Sequence, residues 1–539
     1  MEKIPAIPFK KRTRAFGARA AAVLLALLLV SSLFAGCAQD AKEEPPGPPR
    51  TDAAAFDQLA EDLFRHYASA DSLSLNYTVA SPKGFGITPP EPTFGDFSIE
   101  GTQKEIEYSR EALTALEAID VDKLNQKQRL TRDILLDTLR AEAEYADGDF
   151  LLYGELLSPT IGLQANLPVL LAEYHLYDKM DIDPYIELLK TLPDAVSEII
   201  GFEKEKKAKG LFMAKSAAQD VIGQIDEFTA ETDGNLLIEV FDERMDEFPG
   251  LTDEERARFK KENRAAVLDA VIPAYQTLRD ALEELNKDNK RTEGLGALPK
   301  GEAYYRLLVR GETGSSWSVE DMEARLEALM TERSEEMMGI LYEDEEVLSS
   351  YYLPPWPEED PEKILKRLQK KILGEFPPLE NADYTLKYVH SSLEEYASPA
   401  FYLTPPIDDT SNNVIYINRL REGEGGPLFP LLAHEGYPGH LYQIVYFKRF
   451  GGEPVRDILD FSGYNEGWAT YVEQLAYGWA GLDKDLVTVL SDDNLLSLCL
   501  YAVSDIKVNF RGWDQKQLAG YLDELGYEGD EVAGQIYDS

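Results

Sequence analysis

The chain has 539 residues, 44% of them hydrophobic and 10% aromatic, which excludes a disordered polymer and asks for more than one small core. Its 98 acidic residues against 54 Lys and Arg give a formal charge of −44, a balance that repels a phosphate backbone and excludes nucleic acid as a partner.

From the N-terminus, residues 1–36 read as an export signal. Lys10, Lys11, Arg12, Arg14 and Arg19 lead into the apolar run AAAVLLALLLVSSLFAG. Phe34, Ala35 and Gly36 stand directly before Cys37 and resemble the bacterial lipobox, with Phe34 where leucine is usual. The resemblance implies that Cys37 is lipidated and becomes the mature N-terminus; a plain anchor and an ordinary cleaved signal are the alternatives. Removing residues 1–36 takes away six basic and one acidic residue and leaves 48 against 97. The folded part is then expected on the cell surface or periplasmic side, attached to the membrane through its N-terminal lipid alone. Residues 37–55, rich in Pro, Ala and charge, read as a tether. The one other cysteine, Cys499, lies in the apolar run NLLSLCLYAV and reads as a small buried hydrophobe, so no disulfide is expected within the chain.

Beyond the tether the patterning is helical. Phe56, Leu59, Leu63 and Tyr67 recur at spacings of three and four, and helical stretches are predicted over 104–147, 183–231 and 252–287. Short strands are predicted at 384–390 and 413–418, followed by helix from 428 to about 536. No internal repeat is visible, and after the export signal no segment reads as long and apolar enough to cross a bilayer. The expected fold is mainly α, with two helical lobes around a cleft (56–300 and 301–539) and a small β-sheet in the second. NVIYIN, at 413–418, ends ten residues before the next helix, where a strand edge would hold an extended peptide by backbone pairing. An ordinary structural hairpin is the alternative.

That helix carries LFPLLAHEGYPGHLYQ, which holds two of the five histidines in the chain. On a regular helix His434 and His440 point roughly 120° apart and lie about 9 Å apart along the axis, too far to share an ion. Between them, however, stand Gly436, Tyr437, Pro438 and Gly439, which a continuous helix does not tolerate. An outward bulge of two residues restores the one-turn relation of an HExxH site, with Glu435 beside the metal as general base. A catalytic zinc site needs a third ligand, and GYNEGWATYVEQLAYGW supplies candidates. Trp468, Val472, Leu475 and Trp479 form an apolar stripe, while Glu466, Thr470, Glu473 and Tyr477 form another roughly 200° away. We assign Glu466 as the ligand and Glu473 as its support or runner-up. His66, His175 and His390 read as packing or surface residues.

HEGYPGH followed by EGWATYVE resembles the bacterial DUF885 proteins, as do DSLSLNYTVASPKGFGI, YYRLLVRGETGSS and SPAFYLTPPIDDTSNNVIYIN. The resemblance runs from about Phe56 to the end and implies one family domain with a gluzincin-like metallopeptidase core in its C-terminal half. By match it makes His434, His440 and Glu466 zinc ligands and Glu435 the general base and acid. It places Asn418 near a substrate and Tyr437 in the pocket lining. The family block Asp-x-Gly-x-His reads here with Lys507 and Asn509 in place of Gly and His, and Asn76 stands where a histidine is common. Asn509 is thereby a candidate amide donor to an oxyanion.

The reading is a lipid-anchored zinc peptidase acting on small peptides. A diverged lipoprotein that holds peptide or metal without hydrolysis, and another metal-dependent amidase or esterase, are the alternatives. The chain contains no GxSxG elbow, phosphate loop, CxxC pair or DxDxDG calcium loop.

Overall fold

A computed structural model describes residues 52–538, apart from 161, 231, 233, 381, 390–393, 395–397, 412, 421–426 and 460. The export signal, Cys37 and His390 lie outside the described residues. Residues 52–55, assigned above to the tether, are already helical, with Asp52 in the first turn where its charge favours the helix dipole.

The N-terminal half is a stack of helices: α1 (Asp52–Ala68), α2 (Ser72–Thr78), α3 (Ile99–Glu117), α4 (Gln126–Asp147), α5 (Leu163–Ala172), α6 (Ile182–Ala208), α7 (Lys215–Ala230), α8 (Leu236–Glu247), α9 (Asp253–Ala266) and α10 (Ile272–Asn286). The long stretches predicted at 104–147 and 183–231 are each broken once, and the breaks have local causes. Asn125 and Gln128 form a reciprocal capping box that starts α4 afresh. Gly210, at φ 73°, follows the end of α6 in a conformation that side chains other than glycine avoid. Between α9 and α10 the helix continues through a π-turn, Val267–Val271.

Then follow α11 (Gly301–Thr313), α12 (Val319–Glu343), α13 (Glu345–Tyr352) and α14 (Pro361–Lys371), and a sheet of β1 (Tyr384–Tyr388), β2 (Ala400–Leu403) and β3 (Asn413–Ile417). After the sheet come α15 (Leu428–Glu435), α16 (His440–Phe450), α17 (Ser462–Trp479), α18 (Lys484–Asp505) with a π-turn at Ile506–Phe510, α19 (Gln515–Glu524) and α20 (Gly529–Asp538). Helix α18 with its π-turn is, against expectation, long and apolar enough to span a membrane, yet more than half of its apolar window is packed inside the fold. Its buried face, including Cys499 and Val503, packs with residues of α12, α19 and α20, as a core helix does.

The strand order is β1-β3-β2, with β1 parallel and β2 antiparallel to β3. NVIYIN is therefore the central strand, and every residue of β3 is buried. Its backbone is paired on both sides and has no free edge, so of the two readings the structural one fits this strand. The strand that sequence patterning missed is β2, whose four residues are all buried and show no polar alternation.

Pleating sends alternate residues to opposite faces. Val414 and Tyr416, with Phe401 and Leu403, join the large apolar cluster of α5 to α10. Ile415 and Ile417, with Tyr402, join a second cluster made by α14 to α17. The sheet is thus the seam between sequence-distant helices. Across the same seam the Tyr416 hydroxyl donates to Glu173 (2.8 Å), and Asp408 accepts the backbone N–H groups of Ala80 and Ser81 (2.7 and 2.8 Å). Val455 packs among the helices α1, α3 and α4, so apolar clusters run across the expected division at residue 300.

Ile415 has no exposed surface. Ile415→Ala leaves a cavity between the sheet and α15, and we expect a loss of about 2–5 kcal/mol, read from the urea-unfolding midpoint.

Candidate metal centre

Helix α15 stops at Glu435 because Gly436 turns to φ −111°, ψ −95°, outside the helical region. The Tyr437–Pro438 peptide is cis. Gly439 (φ −74°, ψ −137°) donates its N–H to the Ala433 carbonyl at 2.9 Å, and α16 then begins at His440. A Cβ on Gly439 would sit 1.7 Å from the His434 oxygen and 2.4 Å from that of Ala433. Only glycine fits that approach. The loop is held from outside by the Trp468 indole, which donates to the Pro438 carbonyl at 2.8 Å, and by the Tyr437 hydroxyl, which donates to Ala382.

The excursion achieves what the spacing demanded. The imidazoles of His434 and His440 lie 4.8 Å apart, centroid to centroid, at an interplanar angle of 86°. From α17, Glu466 meets both: His434 Nε2 is 3.4 Å from its Oε2, and His440 Nε2 is 3.3 Å from its Oε1. One donor atom from each of the three lies within 4.8 Å of the others, the one such group among the described residues. Zinc bonds of about 2.0–2.1 Å in a tetrahedron imply donor–donor edges of about 3.3–3.4 Å. The two histidines meet different oxygens of Glu466, and two imidazole nitrogens with a carboxylate oxygen are donor types that zinc takes, so the donor set fits the group.

Glu473, two turns after Glu466, places Oε2 3.4 Å from His434 Nδ1. Glu435 is 3% exposed, and its Oε2 accepts the backbone N–H of Tyr402 in β2 at 3.0 Å. Burial raises the Glu435 carboxyl above its ordinary value. For Glu466 burial acts upward too, but the facing His434 and His440 outweigh it and hold the carboxyl well below the usual range. Burial pushes His434 down, yet its contacts with Glu466 and Glu473 win and raise it well above an ordinary imidazole.

The remaining candidates have structural partners. Asn418, fully buried at the end of β3, donates its amide to the Glu394 carbonyl (2.7 Å) and accepts the N–H of Leu420 (3.1 Å). Tyr437 is buried beside Tyr384, with burial pushing its phenol up to about 12. Asn509 accepts the N–H of Leu295 (3.0 Å) and donates to Asp505 (2.8 Å). Asn76 pairs with the backbone of His175 in both directions at 2.8 Å, as a peptide group would. His66 donates to or accepts from Glu105 at 2.6 Å and stacks on Tyr108, in keeping with a packing role. Two contributors went unmarked in the sequence: the Tyr402 amide, a backbone group without a side-chain signal, and the Trp468 indole, placed there simply as part of an apolar stripe.

The chain belongs to the DUF885 family, described as bacterial proteins of unknown function, whose model matches residues 81–535. Among solved structures it is similar to a protein assigned as a lipoprotein from Colwellia psychrerythraea, with 21% identity, TM-score 0.78, and coverage of 90% of this chain and 88% of that one. It is similar also to a protein of unknown function, likewise assigned as a lipoprotein, from Shewanella oneidensis, with 15% identity, TM-score 0.59 and 90% of each chain covered. No curated protein matches the chain.

The raised His434 contributes a pH dependence to the stability of the metal-free protein. A group whose folded pKa lies above its unfolded value stabilises fully below about 6.5, and that contribution is lost as pH rises through the folded value. The melting temperature of chelator-treated protein should therefore fall as pH is raised from 6 towards alkaline values. Glu466, depressed, acts oppositely and loses its contribution only in strong acid, below its ordinary range. Gly439→Ala should abolish binding of added zinc, measured by calorimetry, because its Cβ cannot clear the His434 carbonyl.

Proposed function

We propose that this protein is a lipid-anchored, extracytoplasmic zinc peptidase with a gluzincin-like core, hydrolysing small peptides. The observation that carries the reading is the convergence of His434, His440 and Glu466 beside a buried Glu435. Zinc held by those three side chains would supply a Lewis acid that polarises the scissile carbonyl. Glu435 accepts a proton from the attacking water as the C–O bond forms, then delivers it to the leaving amine as the C–N bond breaks. Burial raises its pKa, which makes it the stronger base towards the water and brings it nearer the working pH, where a group can both take and return a proton. Tyr402 holds the carboxylate by one oxygen and so fixes its direction.

The anchor rests on the basic and apolar residues before Cys37 and on the lipoprotein assignment of both solved relatives. Cys37→Ser should move the protein from the membrane fraction to the soluble fraction on cell fractionation.

Glu435→Gln keeps shape and removes the base. We expect it to retain stoichiometric zinc, measured by elemental analysis, while cleavage of a mixed peptide library drops by about 10²–10⁴-fold. A wild-type protein at full zinc occupancy that leaves every peptide intact would overturn the peptidase reading in favour of a binding lipoprotein.

A further inference from the structure

Behind the candidate metal centre runs a chain of hydrogen bonds that neither the motifs nor the family match singles out. The Asn494 amide, from α18, donates to Glu473 Oε1 at 3.1 Å. Its carbonyl oxygen accepts from the Gln474 amide at 2.7 Å, and Gln474 in turn accepts from the Ser491 hydroxyl. Asn494 is 5% and Glu473 8% exposed, so water offers these groups little competition.

The direction of this chain follows from its end. An ionised carboxylate can only accept, so Asn494 must turn its NH₂ to Glu473 and its oxygen to Gln474. Gln474 must then present its NH₂ to Asn494, which leaves its oxygen for Ser491, and a serine hydroxyl donates freely. Each amide can satisfy its neighbours in one orientation only. At the other end, Glu473 Oε2 faces His434 Nδ1. An acceptor there would keep the proton on Nδ1 when Nε2, the nitrogen that faces Glu466, gives its lone pair to a metal.

We infer that Asn494, backed by Gln474 and Ser491, is a positioning residue for His434, acting through Glu473 to set the tautomer and ring direction that a metal requires. The inference rests on the zinc reading above and deepens it. In the same polar run of α18, Asp492 lies apart from this chain, 3.5 Å from Arg333. The Tyr351 hydroxyl donates to Asp493 at 3.1 Å, and Asn494 donates to Glu473.

The test compares wild type, Asn494→Leu, Glu473→Ala and the double variant in the full chain. Zinc affinity is read by competition with a chelator, and geometry by the visible absorption of the cobalt-loaded protein. Asn494→Leu should weaken zinc about tenfold or more and shift the cobalt spectrum. In the Glu473→Ala background the same change should cost nothing further, because its route to His434 is gone. Should Asn494→Leu fail to fold, Ser491→Ala takes its place, with a smaller loss in the same direction and the same dependence on Glu473. An unchanged affinity and spectrum, or an equal loss with and without Glu473, overturns the inference while leaving the zinc reading intact. A wild type that binds no zinc overturns both.

Discussion

The candidate site depends on one close approach of backbone to backbone. Gly439 lies against the carbonyl oxygens of Ala433 and His434 so tightly that no Cβ can be added. That contact lets the chain leave α15, make four residues of non-helical path, and start α16 with His440 beside His434. A regular helix would have carried the second imidazole to another side. The surrounding structure serves to hold this reversal: Trp468 grips Pro438 from α17, Tyr437 is anchored to Ala382, and Leu365 of α14 packs within 2.5 Å of where a Gly436 Cβ would be. The helix that clamps the loop is also the helix that supplies Glu466, so loop and third ligand are located by a single element.

The electrostatics explain why such a site suits a cation. Three carboxylates, Glu435, Glu466 and Glu473, face two imidazoles within or beside the apolar cluster of α14 to α17. Burying that many acids without a counter-charge is expensive; burial raises Glu435, and the facing carboxylates raise His434. A divalent ion would offset the same charge without added protons, which is why metal binding and proton release are coupled in sites of this kind. Glu435 differs from the other two acids in its surroundings: it meets the β2 backbone rather than a ring nitrogen, and that difference separates a candidate base from a candidate ligand.

Asn76 and Asn509 stand where the resemblance leads one to expect histidines, and both carboxamides are engaged in holding neighbouring chain segments together. Asn76 bridges α2 to the backbone of His175, and Asn509 ties the π-turn after α18 to Leu295. An amide presents a donor and an acceptor at once, so it can pair with a peptide group in a way a histidine ring cannot match. Neither carboxamide hydrogen-bonds to His434, His440 or Glu466.

The meeting of His434, His440 and Glu466, and the need for a break between the histidines, were legible in the sequence, because Gly, Pro and His carry their geometry in their own chemistry. Glu473 was legible too, since two turns of helix put it on the face of Glu466. Helical periodicity located most of the helices, failing where a cap such as Asn125 or a left-handed Gly210 ended one inside a continuous apolar pattern. Tertiary structure alone decided that β3 lies in the middle of the sheet, that β2 exists as a strand, that Tyr402 offers its backbone to Glu435, and that Asn494 meets Glu473. The reason is physical: strand order and long-range hydrogen bonds depend on which segments become neighbours after folding, and backbone donors are the same at every residue, so no local pattern of side chains encodes them.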